Sequence, residues 1–365
     1  MVAIPVHPDI SLIKWPYHEL QSILVRFLEV GVCFQKYKQM CPRVYIGMLL
    51  LMNMYPVLGQ TCCSGGVPLA NNLGLPNEGN GVLTVSLNYD YNNLNTLNAG
   101  TEKLDDQSRR RITNSILMGL GYAFTDRFSV ETMFTWVNQT RTITQFGNEN
   151  FTETSGIGDA VVLGKYAFPS LLGPAWQLNV GTGVKIPFGR SDILTDQGIQ
   201  LTADLQPGSG AWDMLGWISI SRPLGFRPSA TVSGSLTHRF TGTNNSYLNN
   251  TATYEFGDET QVNIGYADQV FALGTLLRPG LVLKYRRARQ DKIDDSDIPN
   301  TGGEWVFVRP EIGIAINPDI ALNFRAELPL YSYVQGTQLT PTSRLTMGIL
   351  VNLFRNKTPQ INSLP

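Results

Sequence analysis

From Gly81 onward the sequence is written in steps of two. Leu83, Val85, Leu87, Tyr89 and Tyr91 hold one phase, and Thr84, Ser86, Asn88 and Asp90 hold the other. Over Trp176 to Phe188 the residues Leu178, Val180, Val184 and Ile186 alternate with Gln177, Asn179, Gly181, Gly183 and Lys185. Ala230, Val232 and Leu236 stand against Ser229, Thr231, Ser233, Ser235, Thr237 and Arg239. From Ile320 to Leu330 apolar residues alternate with Asn323, Arg325 and Glu327. A period of two belongs to strands, whose successive side chains point to opposite faces; a helix needs 3.6. The bulk of the chain is therefore all-β.

The pattern predicts twelve strands: 81–92, 110–124, 127–141, 156–168, 176–189, 211–221, 226–241, 259–277, 281–290, 304–316, 320–331 and 343–354. Every second connection is tight and built from turn residues, as at Thr125-Asp126, Arg278-Pro279-Gly280 and Asn317-Pro318-Asp319. The others, 93–109, 142–155, 190–210, 242–258, 291–303 and 332–342, are long and polar. Strict short–long alternation suits a transmembrane antiparallel up-and-down β-barrel with periplasmic turns and outer loops. Most strands also exceed the roughly 9–11 residues needed to cross hydrocarbon at a tilt. An even count lets the sheet close, and closure is obligatory because an edge in lipid would leave backbone groups unpaired. Trp136, Trp212 and Trp305 fall at outer strand ends, and Phe124, Phe168 and Trp176 at inner ones, which predicts two aromatic girdles.

Composition agrees. Only 16% of residues are charged, against about 25% in an average soluble domain. The polar phase is instead built from Asn, Thr, Ser, Gln and Gly. The net charge of −1 gives no electrostatic case for a nucleic-acid partner; the partners expected are outer-membrane lipids and a small-molecule solute. All four cysteines lie within the first 63 residues, so neither disulfides nor thiolate-bound metals hold the alternating region, and no cofactor is called for.

One strongly apolar run, Val44 to Gly59, precedes the strands. It is broken by Asn53 and Pro56, follows Lys36, Lys38 and Arg43, and ends in Val57-Leu58-Gly59. A basic lead, a short apolar core and a small-residue exit describe a secretory signal peptide over 40–59, with the mature chain starting at Gln60. Residues 1–39 then read as an upstream extension or an artefact of the chosen start. Residues 60–80, rich in Gly, Asn and Pro, form a periplasmic lead or plug, 81–355 the barrel, and 356–365 a periplasmic tail. The expected location is the outer membrane of a Gram-negative bacterium.

Three segments, "SGIGDAVVLGKYAF" (155–168), "VGTGVKIPFGRSD" (180–192) and "GSGAWDMLGWISISR" (208–222), resemble the outer-membrane family of the MetA-pathway of phenol degradation. The resemblance extends loosely over 81–355. It implies a barrel and uptake of small molecules, and it supplies no binding residues. The last strand, "RLTMGILVNLF" (344–354), is similar to the aromatic-ended assembly signal of such barrels, although Phe354 sits out of phase with Leu345, Met347, Ile349, Val351 and Leu353.

If the apolar phase faces lipid, the other lines the lumen. It carries the basic residues Lys165, Lys185, Arg239, Lys284, Arg286, Arg309 and Arg325 and the acidic Glu131, Asp159, Asp213, Glu311 and Glu327. These charges either form a salt-bridge lattice that stiffens the wall or set a weakly basic path for small anionic or aromatic solutes. Arg309, Glu311, Arg325 and Glu327 lie on consecutive hairpin strands and are lattice candidates. Two other classes compete. One is an occluded structural or adhesive barrel with partner-binding outer loops, of which 190–210 is the longest. The other is an outer-membrane hydrolase, which needs a nucleophile and a histidine base. The exported region's one histidine, His238, falls in the lipid phase, which disfavours catalysis. "DKIDDSD" (291–297) reads as a solvated acidic loop or a weak calcium site.

Overall fold

The computed structural model describes residues 73–76 and 79–354, all within one compact unit. The signal segment 40–59, the upstream residues 1–39, the cysteines and the tail 356–365 lie outside the described residues.

Twelve antiparallel strands close into one ring. We number them β1 (Leu83–Ala99), β2 (Arg109–Ala123), β3 (Phe128–Gln145), β4 (Ala160–Pro169), β5 (Gln177–Ile186), β6 (Asp213–Leu224), β7 (Arg227–Phe240), β8 (Glu259–Ala267), β9 (Thr275–Ala288), β10 (Gly303–Asn317), β11 (Ile320–Val334) and β12 (Thr337–Leu353). Each pairs with its sequence neighbours, and β1 pairs with β12 from Leu83 opposite Leu353 to Ala99 opposite Thr337. No edge is left open in the ring. The phases sort as a membrane solvent demands: Leu87, Tyr89, Ile116, Met118, Phe324 and Met347 point outward and are exposed, while Thr84, Ser86, Asn88, Asp90 and Ser115 are buried inside. The inner end carries the tight turns and the starts and ends of the ring; the outer end carries the long loops.

Three expectations need correction. Arg278-Pro279-Gly280 is not a turn. β8 stops at Ala267, a short strand Val270–Ala272 pairs back onto β9, and the chain reverses at Leu273-Gly274, whose φ angles are 54° and 75°. A two-residue hairpin of this kind needs positive φ at both central positions, and leucine is an unusual occupant. Pro279 lies just past the end of β8, whose pairing stops at Ala267 opposite Gly280. No ladder bond therefore needs its missing N–H, and its carbonyl accepts from the Asp268 amide at 2.9 Å.

The strict alternation of short and long connections also fails at the outer end. β11 and β12 run on to a two-residue turn, Gln335-Gly336, where a loop over 332–342 was expected. β1 extends to Ala99, and β3 continues to Gln145 before pairing with a strand at Asn148–Ile157. Beyond the hydrocarbon, backbone pairing persists while both faces turn polar, as in Asn93, Asn95, Thr96 and Asn98. The period of two that marks a strand in sequence is then lost.

Trp305 is the third correction. It is 1% exposed and lumenal, not part of the outer girdle. It shares its phase with Phe307 and Arg309, and phase rather than position along the strand decides which way a side chain points. Trp136 and Trp212 remain outward at the outer end, with Phe124 and Phe168 at the inner end.

Candidate functional site

Inward-facing charges come from every one of the twelve strands, and the period of two brings them together as ladders. The longest crosses six strands in order. Asp159, directly before β4, lies 3.2 Å from Lys185 on β5, which lies 2.8 Å from Asp213 on β6. Arg239 on β7 bridges Asp213 and Glu259 on β8 at 3.7 Å each, and Arg286 on β9 reaches Glu259 at 2.8 Å. Arg286 then stacks 4.9 Å from the centre of the Trp305 ring on β10. The sign alternates at every step, so each buried charge is compensated by its neighbours, as burial requires. Asp159 also accepts from the Gly189 amide at 3.2 Å and from the amide and hydroxyl of Ser209 at 3.0 and 2.7 Å.

A second ladder closes the other side. Lys284 on β9 contacts both carboxylate oxygens of Glu327 on β11 at 3.1 Å, over the Phe307 ring. Arg344 on β12 meets Asp90 on β1 at 2.9 and 3.0 Å, with Thr346 donating to the same carboxylate at 2.7 Å. Glu311 sits between two arginines, Arg309 at 3.5 Å and Arg325 at 4.0 Å, and faces Arg325 directly across β10 and β11. Glu131 and Lys165 pair at 2.9 Å on β3 and β4.

The structure thus places all ten candidate residues, Asp159, Lys165, Lys185, Arg239, Lys284, Arg286, Arg309, Glu311, Arg325 and Glu327, inside the barrel, and each forms an ion pair. Sequence reasoning missed Asp90, Arg111, Arg141, Glu259 and Arg344 among the strand residues. Strand phase assigns all five to the lumen. Asp90 stands within the alternation of β1 itself; the other four sit where the apolar alternation fades, near outer strand ends. Glu327 pairs with Lys284 rather than within the β10–β11 hairpin. Arg309 and Arg325 both lie against Glu311, and Arg111 and Arg141 both lie near Asp204.

Asp204 could not be assigned from sequence, because it belongs to the connection 187–212. Its central part, 190–210, was expected as an outer loop, and as a partner surface only in the adhesive-barrel alternative. It folds inward instead: Ala203, Asp204, Leu205, Gln206 and Ser209 are buried. Asp204 meets Arg111 at 2.9 Å, and the Leu205 carbonyl accepts from Thr154 at 2.7 Å. Entry depends on two bare glycines, since a Cβ on Gly208 would lie 2.4 Å from the Gly189 backbone. Ala203 then packs with Tyr247, Tyr254 and Phe256 of the connection 241–258. Short strands Thr243–Ser246, Ala252–Glu255, Lys292–Ile293 and Ser296–Asp297 pair into a small separate sheet over the outer mouth.

Within "DKIDDSD", Asp291 is not solvated. It accepts from the Tyr254 hydroxyl at 2.7 Å and the Gly257 amide at 2.8 Å, and burial raises its pKa to about 6. His238 faces outward, its ring edge-on to Phe240 with centres 4.3 Å apart and its Nδ1 2.8 Å from Thr260 Oγ1. It is the one histidine among the described residues and has no lumenal carboxylate beside it.

The inner half of the lumen is open. A cavity of about 510 Å³ is lined by Asn179, Ser219, Ser235, Asn263, Trp217 and Arg309 among others. Between it and the long ladder lies an apolar layer of Leu117, Met133, Val161 and Leu215, with Leu73 packed against it.

The family model for the MetA-pathway of phenol degradation matches residues 120–339, more than half of the chain. The chain belongs to this family. The match spans the long ladder from Asp159 to Trp305 and the group of Arg309, Glu311 and Arg325. The chain shares its barrel with solved structures. An outer-membrane channel from Pseudomonas putida F1 superposes with a TM-score of 0.59 at 17% identity, covering 76% of this chain and 97% of that one. The β-domain of the Bordetella autotransporter BrkA gives 0.41 at 10% identity over 75% and 99% of the two chains. The P. putida toluene transporter TodX gives 0.36 at 9% identity over 76% and 90%. The first of these shows the fold to be that of an outer-membrane β-barrel. Among functionally curated proteins none matches the chain.

Proposed function

We propose that this barrel is a narrow outer-membrane channel for small solutes, selective for anions, that admits them through the loop cap and releases them through the inner cavity. The observation that carries the reading is the polar cavity of about 510 Å³ at the inner end, whose charged lining is Arg127, Lys165 and Arg309 against Asp126 and Glu311. Rings of like charge select permeant ions in pores, and an excess of basic side chains over carboxylates favours anions. A twelve-stranded ring lies between small barrels filled by side chains and the wide porins, which suits a narrow path. The outward position of His238, the one histidine among the described residues, supports a non-catalytic reading. The fold shared with the P. putida channel is consistent with this reading.

Planar-bilayer recordings under a potassium chloride gradient test it. The parent should give a reversal potential of anionic sign, and Arg309→Gln with Arg325→Gln should shift it toward zero without loss of the folded band on an unboiled gel. Absence of conductance and of solute flux into liposomes from the folded parent would show an occluded structural barrel instead.

A further inference from the structure

Glu131 and Lys165 do more than neutralise each other. One carboxylate oxygen of Glu131, a residue 1% exposed, accepts from two successive backbone amides, Gly74 at 3.1 Å and Leu75 at 3.0 Å. Lys165 donates to the Leu75 carbonyl as well as to Glu131. The pair therefore grips a stretch of main chain from both its donor and its acceptor side. Side chains complete the seat. Leu75 lies over Gly119 and Gly121 on β2, where a Cβ would come within 3.3 and 3.5 Å of its Cδ1. Leu73 closes the apolar layer of Leu117, Met133, Val161 and Leu215. Gly74 passes so close to Trp217 that a Cβ would stand 2.9 Å from the ring, and its φ of 93° favours glycine.

We propose that Glu131, Lys165, Trp217, Gly119 and Gly121 form a lumenal binding site for an extended peptide backbone, occupied by the chain's own Leu73–Pro76 as a removable plug. The segment is not part of the ring: its residues join no strand, and the hydrogen bonds above attach it to side chains alone. Such attachment is specific, because without these amides the buried Glu131 carboxylate would keep Lys165 but lose two hydrogen bonds. It is also limited in extent, with open cavity beside it on the inner side. Withdrawal would wet the Glu131–Lys165 pair and join the cavity to the apolar layer. That the movement gates solute rests on the channel reading; that the segment docks does not.

A disulfide tests both parts in the full chain, with Cys33, Cys41, Cys62 and Cys63 replaced by serine. The Cβ of Leu75 and a Cβ built on Gly121 are 3.7 Å apart, within the range for an unstrained bridge. Leu75→Cys with Gly121→Cys should cross-link on oxidation, and conductance should fall at least tenfold and return on reduction. Gly74→Val, which alters no residue of the wall, should raise conductance several-fold. It should also speed labelling of Leu75→Cys by a membrane-impermeant thiol reagent at least tenfold, and Glu131→Gln should speed it likewise. Equal conductance of the cross-linked and reduced forms would overturn the gate. Labelling in the parent as fast as in Gly74→Val would overturn docking. Slow, Gly74-dependent labelling with no conductance in any folded variant would uphold docking and remove the channel reading.

Discussion

Lys185 is the point at which the long ladder should be most sensitive. Its ammonium lies 3.2 Å from Asp159 and 2.8 Å from Asp213, and the three residues are 2%, 2% and 3% exposed. At an effective dielectric of about 20 each contact is worth roughly 5–6 kcal/mol of gross Coulomb energy. Desolvation of three ions offsets most of this, so the intact group contributes little net stability. Breaking it is another matter. Lys185→Met removes the cation, leaves two carboxylates facing one gap, and should cost about 3–5 kcal/mol, the range for a buried pair deprived of one partner. That is roughly two to four powers of ten in the folding constant. The assay is urea unfolding of the refolded barrel in lipid, scored by the gel mobility of unboiled against boiled samples; closure of the sheet predicts that the two differ. Adding Asp159→Asn to Lys185→Met should recover more than half of the loss, because Asp213 keeps Arg239 and the remaining carboxylate at the gap is neutralised. A Lys185→Met barrel within about 1 kcal/mol of the parent would refute the reasoning, since exposed pairs contribute on that scale. So would a double variant less stable than the single one.

Asp291 should make the outer cap pH-dependent. Its folded pKa of about 6 exceeds the ordinary 3.8, so between those values the folded cap binds a proton that the unfolded chain has lost. Stability therefore rises as pH falls through 6, by up to roughly 3 kcal/mol below 4. The protection of 241–258 against hydrogen exchange, taken relative to the intrinsic exchange rate at each pH, should rise from pH 7.5 to pH 5 in the parent and stay level in Asp291→Asn. Gly208→Ala should expel the loop 187–212 from its lumenal seat, at a cost of about 1–3 kcal/mol, because a methyl there meets the Gly189 backbone. The expected readout is new protease cleavage within 187–212 while the ring stays folded on the gel. Export should depend on the apolar run: Leu50→Arg with Leu51→Arg adds about 2.5–3.5 kcal/mol per charge to insertion and should hold the chain uncleaved in the cytoplasm. Mass spectrometry of the exported parent should find Gln60 first, and a start upstream of Met40 would contradict the signal reading.

The sequence by itself determined the class, the strand count and the face of most barrel residues. All three follow from one local rule: in lipid the outward side chain must be apolar, so a period of two is imposed wherever the strand crosses hydrocarbon. The same rule placed Lys185, Arg239, Lys284, Arg286, Arg309 and Arg325 inside. It said nothing where the rule lapses. Above the membrane β1, β3, β11 and β12 keep their backbone pairing with polar residues on both faces, so Asn93 to Asn98 and 332–342 looked like loop. The turn at Leu273-Gly274 was hidden by the stronger signal of Pro279-Gly280, which only its ring partners Glu311 and Ile312 show to be strand. Partner choice among the charges was decided by tertiary structure alone. Phase fixes that Glu327 points inward, but the curvature of the closed ring lets Lys284 reach it across β10. Asp204 and Leu75 lie outside any strand, so no periodicity could announce that one enters the lumen from the outer end and the other from the inner.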